Sequence, residues 1–343
     1  FDREREVGAG ATARVSSFRV KCNDSMRLVV KKTTKAIDAE YEFRVRRSAD
    51  PASPSLIGVH LYLTSPDRDA GFVVMEAADC DLRDLIHVGR RGAGLAPLLY
   101  LFQDLVDGLQ ALHRAGFVHG DVKPQNVLLV RHGGAGRTGG CADPRAFSAK
   151  LADFGHSCFA AAGAYPPERW WDCGTWEVYS LAFRAPELRN IEFQDFHTAT
   201  EEQRRLYMEM ITPASDLFAA GVTLYDLVFS RLPGVLKKPM GKAFLALDAS
   251  RDLNVIALEE QALKASPDSE LYQANFAVVN LLRGLLAVDP ATRWSMAQVM
   301  SELSGWRSRR PIAAQPSFPR TMADDITLDA LLHEKGICSP VHV

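Results

Sequence analysis

The octapeptide His119-Gly120-Asp121-Val122-Lys123-Pro124-Gln125-Asn126 sets an acid, a cation and an amide close together, at Asp121, Lys123 and Asn126. A carboxylate held in such a loop can accept a hydroxyl proton, the lysine can neutralise a transferring phosphoryl group, and the amide carbonyl can hold a metal ion. A second carboxylate, Asp153 of Asp153-Phe154-Gly155, follows 27 residues after Asn126, and Ala185-Pro186-Glu187 comes later. Groups with these roles need rigid elements to aim them. Before the loop, Leu98, Leu101, Phe102, Leu105, Leu109 and Leu112 recur at steps of three and four, which predicts a helix packed along one face and ending near His119. After it, the apolar run Val127-Leu128-Leu129-Val130 predicts a short strand.

The three motifs, in this order and context, resemble the signature set of the eukaryotic-type protein kinases. The resemblance implies an α+β, bilobal fold: a small antiparallel β lobe with one helix over residues 1–78, a larger mainly helical lobe over 79–306, and a tail over 307–343 with a short amphipathic piece. The start of the chain fits that frame. Val7 to Val15 reads as a glycine turn between two strands, where Gly8 and Gly10 let backbone N–H groups close over phosphates and Val15 faces a nucleotide base. Ala13 stands where the family carries a third glycine. Leu28-Val29-Val30-Lys31 resembles the strand that presents the phosphate-binding lysine, which in active members pairs with a helix glutamate. The predicted helix over 36–48 offers Glu40 and Glu42, nine and eleven residues beyond Lys31, and Glu40 is the preferred partner.

Val73 to Leu82 resembles the strand and linker that meet the adenine ring. The resemblance places Met75 beside the pocket, the backbone of Glu76 and Ala78 at the adenine edge, Asp81 near the ribose and Leu128 against the nucleotide. It makes Asn126 and Asp153 the Mg²⁺ ligands, Asp121 the base and Lys123 the γ-phosphoryl partner. Glu177 to Leu188 resembles the corresponding stretch of the cyclin-dependent and MAP kinases, with Ser180 where those enzymes carry a Thr that bonds the base and the loop lysine; with Lys123, this favours a Ser/Thr acceptor. Gly120 replaces the family's usual arginine, so no cation stands beside Asp121 to clamp a phosphorylated activation loop, and activity independent of such phosphorylation is expected. Two later features read as structural: Asp216, opening an apolar helix, as acceptor for catalytic-loop N–H groups, and Arg293 as partner of Glu187.

The bulk composition excludes several classes. A chain of 343 residues, 47% hydrophobic, can bury a large core. A formal charge of −2 with acids and bases interspersed gives no footprint for nucleic acid. No apolar run is long enough to span a membrane. The chain opens on Phe1, so it reads as a fragment, with cytoplasmic localisation as the default and a secreted effector as the alternative. The six cysteines have no zinc spacing and read as reduced thiols, unless Cys158 and Cys173 pair in an oxidising compartment. Residues 131–149, with five glycines, read as a flexible surface insertion.

The combined reading is a Ser/Thr protein kinase using ATP and Mg²⁺ on a protein substrate, with a regulatory partner at the activation segment or tail as a further expectation. Two rivals stand beside it. One is a kinase-shaped scaffold that binds nucleotide and a partner without transfer, suggested by Ala13, Gly120 and the unusual loop and tail. The other is a small-molecule kinase, resting on Gly120 alone.

Overall fold

Val, Ile, Leu and Phe at alternate positions before residue 80 build a sheet with one face on the core, while the leucine-rich stretches after it build helices. The computed structural model describes residues 2–9, 13–20, 23–65, 67, 69–88, 94–132, 140–159, 180–189, 200, 202, 209–230 and 249–307. Strands β1 (Asp2–Ala9), β2 (Ala13–Val20), β3 (Asn23–Thr33), β4 (Val59–Thr64) and β5 (Gly71–Glu76) form an antiparallel sheet in the order β1-β2-β3-β5-β4. Helix α1 (Ala36–Ser48) packs on its β4 and β5 side. Its inward residues Ala39, Glu42, Phe43 and Arg46 follow the three- and four-residue steps of one helix face.

The larger lobe is organised on α3 (Leu95–Arg114) and α5 (Pro213–Phe229). All six periodic apolar residues of α3 named above are at most 1% exposed. At roughly 1.5–3 kcal/mol for each fully buried large apolar side chain, that stripe is enough to fix the helix against its neighbours. α5 is apolar on nearly every face and buries Leu217, Phe218, Ala220, Val222 and Leu224. Around this pair stand α2 (Leu82–Val88), α4 (Pro186–Arg189), α6 (Leu253–Leu263), α7 (Glu270–Leu285) and α8 (Met296–Arg307). The bilobal arrangement expected from the sequence is present.

Two short sheets hold the octapeptide at both ends. Ahead of it, β7 (Phe117–Val118) pairs with β10 (Cys158–Phe159). Behind it, β8 (Val127–Arg131) pairs with β9 (Phe147–Leu151) on one side and with β6 (Cys80–Asp81) on the other. Asp121 and Asp153 are thereby fixed in the gap between the two sheets. The loop before β4 closes onto this frame, with Ile57 N–H donating to Leu151 O at 2.9 Å and Leu151 N–H to Ser55 O at 2.8 Å. Gly108 of α3 permits that approach, because a Cβ there would lie 2.6 Å from Ser55 O.

The cysteines and the insertion depart from expectation. Cys80 and Cys141 form a disulfide across a sequence separation of 61 residues, so they are not reduced thiols. Cys158 is also disulfide-bonded, while Cys173, its suggested partner, lies outside the described residues. The returning end of the insertion is therefore fastened to β6 rather than free, and it continues through a 3-10 turn at Pro144–Ala146. Gly10, Trp170, Trp171, Trp176, Glu177 to Tyr179 and the tail piece 326–332 also lie outside the described residues.

Candidate active site

The strongest electrostatic feature is Lys31 on β3. Its Nζ donates to Glu42 Oε2 and to Asp153 Oδ1, both at 2.7 Å, which joins the sheet, α1 and the start of the Asp-Phe-Gly turn. Burial alone would lower the Lys31 pKa, but the charges of Asp153 and Glu42 outweigh it and hold the ammonium well above its ordinary value. Burial would likewise raise Asp153, yet Lys31 and then His156 depress it well below the ordinary carboxylate range. Glu42 is raised, by burial first, with Lys31 opposing. The signs give the pH behaviour. Asp153's contribution to stability is present above its unfolded-state pKa and is lost as pH falls; that of Lys31 is present below its unfolded-state pKa and is lost only as pH rises through its elevated folded value.

Glu40 is not the partner of Lys31. It faces the other way and pairs with Arg44, one turn on. Two residues along a helix turn the side chain through roughly 200°, so when Glu42 points inward Glu40 points out. Exchanging Glu42 for Gln is therefore expected to destabilise the fold by roughly 1.5–3 kcal/mol, the worth of one hydrogen bond to a charged group, while Glu40→Gln changes stability little. Chemical unfolding of both variants decides the assignment.

In the catalytic loop, Asp121 is 3% exposed. Its Oδ2 accepts from Lys123 Nζ at 2.5 Å and from Asn126 Nδ2 at 3.0 Å. Asn126 Nδ2 also donates to Asp121 O at 2.8 Å, so the Asn126 amide oxygen is the atom left to offer a cation. The loop backbone is fixed from below. Asp216 at the start of α5 accepts from His119 N–H at 2.7 Å and Gly120 N–H at 3.0 Å. Gly120 sits at φ +78°, left-handed backbone in which a glycine is unstrained and an arginine would not be.

His119 locks the next layer. Asp121 N–H donates to its Nδ1 at 3.2 Å, so the proton is on Nε2, which reaches Ala152 O at 2.9 Å. Burial lowers the His119 pKa and keeps the ring neutral. Phe154 lies edge-on to it with ring centroids 5.8 Å apart. Asp153 itself has φ 66°, a left-handed conformation costing on the order of 1–3 kcal/mol for a residue with a side chain, here held by Lys31 and the packed Phe154. Asp121, Asp153 and His156 each present a ligand atom within 4.8 Å of the others. The Asp153 side chain keeps 34% of its surface. These acids, with the free Asn126 oxygen, fit a divalent cation.

The residues that the sequence reading assigned to the nucleotide occupy the following places in the fold. Gly8 pairs with Val15 across the β1–β2 ladder, and Val15 packs partly buried against the core. Glu76 ends β5 and its carboxylate points inward, accepting from Lys150 Nζ at 2.5 Å and Gly58 N–H at 3.0 Å. That leaves backbone, not its side chain, for a ligand. Asp81 pairs with Leu128 across β6–β8, and Asp81 and Asp84 cap each other's N–H groups at 2.9 and 3.2 Å. Ser180 shares a cavity wall with Gly120 and Asp121. Sequence reasoning missed three ties: Lys150 to Glu76, Tyr41 Oη to Ser157 O at 2.5 Å, and His156 beside the acids. Only His156, next to the Asp-Phe-Gly motif, carried a readable signal.

Comparison with known sequences agrees with this geometry. A sequence model of the protein kinase domain matches residues 1–303. The chain is 29% identical over 220 residues to the probable serine/threonine-protein kinase of Streptomyces coelicolor, covering 61% of this chain and 27% of that protein. It is 31% identical over 233 residues to the serine/threonine-protein kinase/endoribonuclease IRE1b of Arabidopsis thaliana, covering 68% and 20% respectively. Human serine/threonine-protein kinase STK11 is 24% identical over 320 residues, 91% of this chain and 61% of that protein. The chain thus spans less than two thirds of the length of each of these relatives.

Proposed function

Given that this chain belongs to the protein kinase family, we propose that it transfers the γ-phosphoryl of ATP to serine and threonine hydroxyls of a protein. The observation that carries the reading is the joined set Lys31–Glu42–Asp153 and Asp121–Lys123–Asn126, with two acids and an amide oxygen facing one gap. A scaffold that only bound a partner has no use for it. Lys31, held by Glu42, orients the α- and β-phosphates. Asp121 aims the attacking hydroxyl and accepts its proton, and Lys123 stays on the γ-phosphoryl side to offset developing charge. Asp153 and the Asn126 amide oxygen would hold Mg²⁺, which would supply positive charge against the phosphates. Glu76 and Ala78 present backbone to the adenine, Val15 and Leu128 flank it, and Asp81 reaches the ribose.

Gly120 supports activity without activation-loop phosphorylation, since the position beside Asp121 carries no cation for a phosphate to meet. The test is transfer of labelled phosphate from Mg·ATP to a generic protein substrate, to choline and to an aminoglycoside, before and after phosphatase treatment. Phosphoserine and phosphothreonine in the protein, with rates unchanged by the phosphatase, are expected. Labelling of the small alcohols alone would replace the reading with a small-molecule kinase, and nucleotide binding without any transfer would replace it with a scaffold.

The Cys80–Cys141 bond supports folding in an oxidising compartment in place of the cytoplasmic default. Closing a loop of 61 residues stabilises by about 4 kcal/mol on chain-entropy grounds. Urea unfolding of Cys80→Ser/Cys141→Ser is expected to show a loss of that order. An unchanged midpoint would remove the compartment argument.

A further inference from the structure

His156 directly follows the Asp-Phe-Gly turn and is the last residue of its 3-10 helix, Phe154–His156. The next residue is tied down from both lobes: Ser157 O accepts from Tyr41 Oη at 2.5 Å, and Ser157 N–H donates to Phe154 O at 3.1 Å. The imidazole is thus carried on a fixed backbone. Both of its ring nitrogens are shielded from solvent, and neither has a hydrogen-bond partner among the described residues. A neutral imidazole offers one donor and one acceptor, and leaving either buried and unmet is unfavourable. Yet its ligand atom lies within 4.8 Å of carboxylate oxygens of both Asp121 and Asp153. Neither nitrogen is hydrogen-bonded to those oxygens. Donor atoms on opposite sides of one divalent ion stand roughly 4–4.4 Å apart, given metal–ligand bonds of about 2.0–2.2 Å. A span of at most 4.8 Å is close to the separation that one ion would bridge.

We infer that a ring nitrogen of His156 is a direct ligand of the divalent cation held at Asp153, so that this site takes a first-row transition ion in preference to Mg²⁺. The inference rests on the proposed role of Asp153. Its chemistry follows from the donor set. Carboxylate and amide oxygens alone suit Mg²⁺, a hard ion that keeps its waters, whereas imidazole suits first-row transition metals. Asp121 supplies the third face when no nucleotide is bound, and its Oδ2 remains engaged by Lys123 and Asn126.

The probe is Mn²⁺, titrated without nucleotide into the full chain and followed by electron paramagnetic resonance, with spin-echo modulation reporting any nitrogen bonded to the ion. Wild-type protein is expected to show nitrogen modulation that changes character when its histidines are ¹⁵N-labelled. In His156→Ala the modulation disappears and Mn²⁺ affinity falls at least about tenfold, with Mg²⁺ affinity, measured by competition, changed much less. Bound Mn²⁺ without nitrogen modulation in the wild-type protein overturns the inference, and this measurement does not depend on any variant folding. An unaltered Mn²⁺-to-Mg²⁺ preference in a folded His156→Ala also overturns it. Asp153→Asn separates the two levels: if it leaves Mn²⁺ affinity untouched, the cation is not at Asp153 and the proposed metal role falls as well. If it abolishes binding while His156→Ala changes nothing, only the nitrogen ligand is lost.

Discussion

Asp121→Asn is expected to lower the turnover number for phosphoryl transfer by about 10²–10⁴-fold, the usual contribution of a positioned general base. Asparagine has the same shape and keeps an oxygen to accept from Lys123 and Asn126, so the loop hydrogen bonds to Asp121 Oδ2 are preserved in number. What is lost is the charge and the proton-accepting oxygen. Because Asp121 makes none of the contacts of Lys31, the residue proposed to hold the phosphates, ATP affinity should move little, and the effect should fall on turnover rather than on nucleotide binding. Single-turnover kinetics with a nucleotide-dependent thermal shift measures both. A variant that retains full turnover would remove Asp121 from the chemistry and leave the role of base to another group. A variant that loses ATP binding instead would make Asp121 a nucleotide contact.

The parts of the site legible in the sequence are those where chemistry demands fixed spacing along the chain. Asp121, Lys123 and Asn126 belong to one loop and needed no tertiary information. The α3 stripe was legible because a buried helix face must repeat at three and four residues. Glu42 was legible in principle. Ala39, Phe43 and Arg46 mark the inward face of α1, and Glu42 falls on it while Glu40 does not. A preference made without that rotation falls on the wrong glutamate. Other features depend on the folded chain. Cys80 meets Cys141 only because β6 pairs with β8, the strand that leads into the insertion. Lys150 meets Glu76 only because β9 ends beneath the linker between the lobes. No local pattern encodes either.

The largest expected stability effect lies far from the phosphates, at the pair formed by Arg293 and Glu187. The guanidinium donates through both terminal nitrogens to the two carboxylate oxygens, at 2.8 and 2.9 Å, in the fork-to-fork geometry that makes such pairs strong. The Arg293 side chain is 0% exposed and Glu187 13%, so the guanidinium has no water as an alternative partner and the carboxylate has little. Removing one member of a buried pair costs about 3–5 kcal/mol, chiefly because the other is left charged and uncompensated. Arg293 also donates to Ala287 O, Ala214 O and Val288 O and lies 5.0 Å from the Phe218 ring, which places Glu187→Gln at the low end of that range. Arg293→Met should sit at the high end, since it strands Glu187 and gives up those carbonyl contacts. The double variant Glu187→Gln/Arg293→Met should cost less than the sum of the two, because no buried charge remains. Chemical unfolding of the three proteins measures the coupling. Strict additivity would show that the pair is not energetically linked, and that the base of Ala185-Pro186-Glu187 is anchored by Arg293's backbone contacts alone.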